Sequence, residues 1–98
     1  MRGDASVVID CKGVTSAAEF WQLYLDTAKP SDAKLFGRNL DAFWDAVEFG
    51  GPGWPGNVEL VFTHSSQLEA VEAANGRSLL DGLRNVADEA TQMRIVFD

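Results

Sequence analysis

The sequence predicts an α/β fold: a three-stranded parallel sheet with about four helices packed against it, in the order β-α-α-β-α-α-β. Three observations predict it. Short runs rich in β-branched residues at Ser6 to Asp10, Val58 to Thr63 and Met93 to Phe97 read as strands. Between consecutive runs lie stretches whose apolar residues recur at helical spacing. Crossovers through helices bring consecutive strands together in parallel, and the strands are apolar on both faces or nearly so, as a covered sheet requires. The 98 residues are expected to form a single domain over positions 1–98.

Each element has its own signal. After the first strand, Lys12-Gly13 turns the chain. Ser16 and Glu19 form a capping box, and Phe20, Trp21, Tyr24, Leu25 and Ala28 follow helical spacing until Pro30 and Ser31 stop the helix. Gly37 marks a turn, and Asn39 is placed to cap a second helix that ends at Gly50-Gly51. Residues 50–56, GGPGWPG, form a dense breaker segment. Beyond the second strand, Ser66 and Glu69 repeat the capping-box pattern, with Leu68, Val71 and Ala74 marking a short helix that stops at Asn75-Gly76. Ser78 opens the last helix, whose inward residues are Leu79, Leu80, Leu83, Val86, Ala87 and Ala90.

Composition excludes several functions. A formal charge of −7 argues against unaided nucleic-acid binding and against docking to anionic membranes. It favours a basic partner and long-range steering toward it. No apolar run is long enough to span a bilayer. The N-terminus, MRGDASVVID, carries acids and no long apolar core, so it does not read as a secretory signal. One cysteine, Cys11, permits no internal disulfide, which fits a reducing cytosol and a cytoplasmic location. One Cys and one His do not supply a zinc ligand set, and GGPGWPG lacks the Lys-Ser/Thr ending of a phosphate loop. No cofactor is expected.

The most informative segment is Leu35 to Val47, LFGRNLDAFWDAV. At about 100° per residue, Asp41, Asp45 and Glu48 share a narrow arc, Phe36, Leu40, Phe43 and Val47 gather opposite, and Trp44 lies between. From Asn39 to Gly76 the chain carries six acids and no Lys or Arg. Like charges four apart on a helix repel, so a face that keeps them unpaired is suited to a positive partner. Plainer readings exist for each residue. Asp41 lies in the first helical turn, where a carboxylate meets the positive end of the dipole. Asp45 fits a solvated helix face. Trp54 is either a plug beneath its own loop or an exposed anchor. His64, after the second strand, stands where ligands often bind in parallel sheets, yet a lone histidine there is more often a loop residue. Cys11 reads as a small buried apolar residue. Three carboxylates on one helix diverge too much to surround a hard cation.

The same segment resembles the central helix of the barstar family of bacterial ribonuclease inhibitors. The family pattern of an aromatic followed by G-x-N-L-D-A-hydrophobic-W-D-A is met by Phe36, Gly37, Asn39, Leu40, Asp41, Ala42, Phe43, Trp44, Asp45 and Ala46. The element order agrees over nearly the whole chain. The resemblance implies the fold read above, with no catalytic activity of its own. Together with the acidic arc and the Trp54 loop read above, it gives a partner-binding set of Leu35, Phe36, Gly37, Asn39, Asp41, Trp44, Asp45, Glu48, Trp54 and Asn85. Asp45 would stand where a substrate phosphate binds in a ribonuclease, since a carboxylate replaces phosphate as a partner for arginine. The partner implied is a cationic ribonuclease or a nuclease toxin domain, engaged as a 1:1 complex by a monomer. Some family positions differ here: Leu35 replaces one of two aromatics before the glycine, Arg38 stands between Gly37 and Asn39 in place of an acid, Asn85 falls where an acid is expected on the last helix, and GGPGWPG is longer than the family's loop. The alternatives carried from the residues alone are an acidic interaction module for a non-nuclease basic partner and a small hydrolase built on His64.

Overall fold

A computed structural model describes residues 5–73 and 76–98. The strands are β1 (Ala5–Asp10), β2 (Val58–Thr63) and β3 (Ile95–Phe97). They pair in parallel in the order β1-β2-β3, with Val7 opposite Leu60, Ile9 opposite Phe62 and Leu60 opposite Ile95. Three α-helices accompany the sheet: α1 (Ala17–Ala28), α2 (Leu40–Phe49) and α3 (Leu79–Glu89). Short 3₁₀ helices occupy Ala33–Leu35 and Ser65–Ala70.

The caps follow the local chemistry. Ser16 accepts from the Glu19 backbone N–H, and Glu19 in turn accepts from the Thr15 backbone and hydroxyl, which holds its carboxyl below the usual range. Lys29 takes the left-handed conformation that ends α1, one residue before Pro30. Ser78 accepts from Asp81 N–H at the start of α3.

The segment after β2 departs from expectation. It forms a 3₁₀ helix that begins after His64, itself left-handed at φ 53°, with no side-chain cap from Ser66. Leu68 and Val71 are buried three residues apart, a spacing that a three-residue period satisfies as well as a 3.6-residue one. Val71 is already extended, and Glu72 bridges antiparallel to Ser78, so the helix stops there. The expected marks at Ala74 and Asn75 lie outside the described residues. The last strand begins at Ile95, two residues later than expected.

The core lies on one side of the sheet. Ile9, Leu60 and Phe62 are fully buried beneath Phe20, Trp21, Tyr24, Phe43 and Leu83. The alternating residues point the other way, and Val8 remains 53% exposed there, with Ser6 and Asp10 also exposed. The sheet is therefore not covered on both faces, although Val8, Val61 and Val96 make its outer surface read as apolar. Rings interlock at the centre: Phe43 meets Trp21, Tyr24 and Phe62 at 5.8, 5.5 and 6.4 Å between centroids. Helices α2 and α3 approach closely at Gly82, where a Cβ would strike the Leu40 side chain.

Candidate functional site

Helix α2 is fixed from three sides before any partner is considered. At its start, Asn39 accepts from the Ala42 backbone N–H at 2.7 Å and donates to the Gly37 carbonyl at 3.3 Å. Arg38, at φ 53°, takes the left-handed position of this cap, while Gly37 does not; a Cβ at Gly37 would press on Ala42 at 3.2 Å. Gly37 thus serves close approach. At the other end, Gly50 adopts φ 72° and its N–H donates to Ala46. Along one side, Phe43, Ala46 and Val47 are buried. These constraints orient Asp41 and Asp45 outward, both exposed.

Among the described residues, no Lys, Arg or His forms an ion pair with Asp41 or Asp45; the pairs found are His64 with Asp10 and Arg94 with Glu59. The Asp45 carboxylate lies against Gly51, where a Cβ would overlap its Oδ2. Glu48 differs from them. Its carboxylate accepts from the Thr91 backbone N–H at 2.7 Å and from the Thr91 hydroxyl, and those two bonds hold its pKa below the usual glutamate value. The expected trio of unpaired acids is a pair, with Glu48 joining α2 to the loop before β3.

The other expected partner-facing residues divide. Leu35 is 71% exposed. Phe36 is buried, packed edge-on against Trp21 and tilted against Tyr24, so its ring belongs to the core and is not displayed. Trp44 is half-buried. Trp54 is 38% exposed on a loop whose backbone is pinned. Ser31 N–H donates to the Trp54 carbonyl, Gly53 N–H donates to Ser31, Tyr24 hydroxyl donates to Gly53 at 2.7 Å, and Gly53 at φ 94° rests on Phe36. Trp54 N–H also donates to the Gly51 carbonyl, which places the tryptophan's backbone one turn from the residue beneath Asp45. Asn85 is exposed on α3, and with its amide oxygen turned toward Arg77 it accepts from that guanidinium.

Two features stand outside the sequence expectations. Arg38 and Arg77 sit just outside the cation-free interval, and the fold returns both to a cleft of about 530 Å³ between α2 and α3, lined also by Trp21, Leu40, Trp44 and Asn85. The acidic face is therefore bounded by cations at its N-terminal side. The second is Phe49, the last residue of α2, which is 72% exposed and meets Trp44 edge-to-face at 6.1 Å. Four residues from Asp45, it lies about 40° from it around the helix, on the acidic side and away from the Phe43 and Val47 stripe. Helical projection of the sequence carries that signal.

The remaining candidates are accounted for within the fold. His64 Nδ1 lies 2.7 Å from Asp10 Oδ1, with both side chains exposed. Asp10 also accepts from the Lys12 backbone N–H, and this bond, with the His64 one, lowers its pKa. The neighbouring hydroxyl, Ser65 Oγ, donates to the Asp98 carbonyl and not to His64. Cys11 is fully buried, its thiol donates to the Ile9 carbonyl, and burial pushes its pKa up to about 11, which leaves it unreactive as a nucleophile. Among the described residues, no helix is long and apolar enough to cross a membrane.

A family model described as Barstar (barnase inhibitor) matches residues 5–98. No curated protein matches the chain. The match spans every described element, and the chain belongs to the barstar family, whose members are inhibitors of ribonucleases such as barnase.

Proposed function

We propose that this member of the barstar family inhibits a cationic microbial ribonuclease by laying α2 into its active site, as an immunity protein that protects the producing cell from within the cytoplasm. Asp45 takes the place of the substrate phosphate and Asp41 widens the negative field. Leu35, Trp44 and Trp54 exclude water around the charged centre, the arrangement that makes a buried charge pair count. Asn39, Gly37 and Phe36 act by holding the helix and its approach loop. Asn85 reaches the partner as a neutral amide beside Arg77, and Glu48 serves the fold. The chain acts as a monomer, in a 1:1 complex, without catalysis or cofactor.

The observation that carries this reading is the contrast within α2. Asp41 and Asp45 are exposed on a helix capped at both ends, with no cation paired to them among the described residues, while the acid one turn later has its own internal donors. The repulsion of like charges four apart is retained where it opposes folding, and a cationic phosphate site would relieve it.

The test is inhibition of RNA cleavage by barnase, the ribonuclease that the family description names. Wild type should inhibit stoichiometrically, and Asp45→Ala should weaken inhibition by roughly a hundredfold or more while leaving the fold intact, the scale expected when a buried interfacial charge loses its partner. The complex of barnase with barstar is itself a standard example of an extreme hot spot and of steered association, so the magnitude is that of the family's own complex. Uninhibited cleavage at excess wild-type protein contradicts the reading.

A further inference from the structure

We infer that Phe49 is a second anchor of the interface, and that it fits the surface on which the target ribonuclease stacks the base next to the scissile phosphate. This rests on the inhibitory reading above. A Phe exposed alone on a surface is ordinary. Phe49 is not alone. Among the described residues four large apolar side chains are exposed, and three of them, Leu35, Phe49 and Trp54, lie on α2 or beside its ends within twenty residues of sequence. The other is Val8 on the open sheet face.

Phe49 is also held in place. Its ring stands at 88° to Trp44 in an edge-to-face contact, and its backbone is the last helical turn, closed by Gly50. A ring fixed before binding loses little rotational freedom on binding. Its position relative to Asp45 defines the partner. Residues four apart on a helix have Cβ atoms roughly 5–6 Å apart, so the two side chains leave α2 from neighbouring positions, the ring resting on Trp44 and the carboxylate on Gly51. An enzyme that cleaves single-stranded RNA must grip a phosphate with cations and hold an adjoining base, and unpaired bases are held by stacking on aromatic or other planar side chains. A carboxylate with a neighbouring phenyl ring presents those two features in the same order. Stacking is tolerant of which π-face is offered, so a phenyl ring occupies such a surface without base-specific hydrogen bonds. The charge of α2 selects the cationic side of the enzyme, which places the ring beside it and not elsewhere.

The experiment uses the whole chain with barnase as probe and measures the dissociation constant for wild type, Phe49→Ala, Phe49→Trp and Asp45→Ala, with folding checked by circular dichroism. Each ribonucleoside, which has no phosphate, is then added at millimolar concentration. Phe49→Ala should bind about tenfold more weakly and Phe49→Trp should stay within threefold of wild type, since a ring is what the surface takes. At least one nucleoside should weaken wild-type binding and should lose that effect on Phe49→Ala. An unchanged constant for Phe49→Ala, beside a weakened Asp45→Ala, overturns the inference and leaves the inhibitory reading standing. Equal nucleoside competition with both proteins, or none with either, overturns the base-surface assignment. Self-association of the free chain that Phe49→Ala abolishes would assign the ring to a second copy and overturn it as well. Wild type that does not bind barnase overturns both proposals together.

Discussion

The corner where β1 and β2 end and the outer face of α2 carry similar residues put to different ends. At the corner, Asp10 is bonded to the Lys12 backbone and to His64, and Ser65 to the Asp98 carbonyl. On α2, Asp41 and Asp45 face solvent with no charged partner among the described residues. The position at the C-terminal strand ends would favour the corner as a site, because ligands commonly bind there in parallel sheets. The bonding favours α2. A polar group whose partners lie inside the chain contributes to the fold, and one held rigidly without partners is available to another molecule. Glu48 shows that the distinction follows bonding and not location: it is on α2 yet belongs with the corner, since Thr91 already occupies its carboxylate.

The largest expected effect divides the two sides of α2 itself. Phe43 is fully buried against Trp21, Tyr24 and Phe62. Phe43→Ala should cost about 3–5 kcal/mol in denaturant unfolding, a large share of a small domain's stability. A cost under about 1 kcal/mol would mean that the helix is not anchored by this face. Trp54→Ala should do the reverse. Its loop is held by backbone bonds and Phe36, so the melting temperature should barely move, while barnase binding weakens by about tenfold, as for an aromatic at the edge of a charged centre. Lost stability with intact affinity would make Trp54 a plug.

Salt should separate the two regions more gently. Exposed charges are screened beyond roughly 8 Å at physiological ionic strength. The association rate with barnase should fall as salt rises, while dissociation changes less. An association rate that is flat from low to high salt would rule out steering by α2.

Acid titration gives the smallest effect. The folded-state pKa values of Glu48, Asp10 and Glu19 are depressed by the bonds that they accept. A depressed carboxylate stabilises the fold above its unfolded pKa, and that contribution is lost as pH falls through the folded value. Stability should therefore decline from about pH 4.5 downward. Glu48→Gln should lower stability near pH 7 and flatten that decline. An unaltered acid limb would show that the Thr91 bonds contribute nothing.

Much of this contrast is legible in the sequence, and what is not has a physical cause. Periodicity locates the three strands and three α-helices, and Ser16, Asn39 and Ser78 cap as their positions suggest. These signals are local. The partner of Glu48 lies 43 residues away, and the Arg38 and Arg77 cleft is assembled by the fold, so no spacing rule reveals either. Leu68 and Val71, three residues apart, suit either helical period, so their spacing does not distinguish the 3₁₀ helix at Ser65–Ala70 from the α-helix expected there. Val8, Val61 and Val96 make the sheet read as covered on both sides, because residue type alone does not say whether a helix lies above. Phe36 carries the family's aromatic position but turns into the core, which only the packing of Trp21, Tyr24 and Gly53 determines. Phe49 is legible as a projection on the acidic side of α2, but charge patterning, which marks the acids of that helix, passes over an uncharged ring.

Asp45 and Glu48 are two acids on the same helix, three residues apart, one without a side-chain bond among the described residues and one bonded to Thr91. The most direct test is to measure, for Asp45→Ala and Glu48→Ala in parallel, both the unfolding midpoint and the dissociation constant for barnase. Asp45→Ala should keep the midpoint, or raise it slightly as repulsion with Asp41 is relieved, and lose roughly a hundredfold or more in affinity. Glu48→Ala should lower the midpoint and keep its affinity within a few-fold. Affinity lost at Glu48 with none lost at Asp45 would contradict the inhibitory role assigned to α2, because the acid that binds the partner would then be the one that the chain already holds.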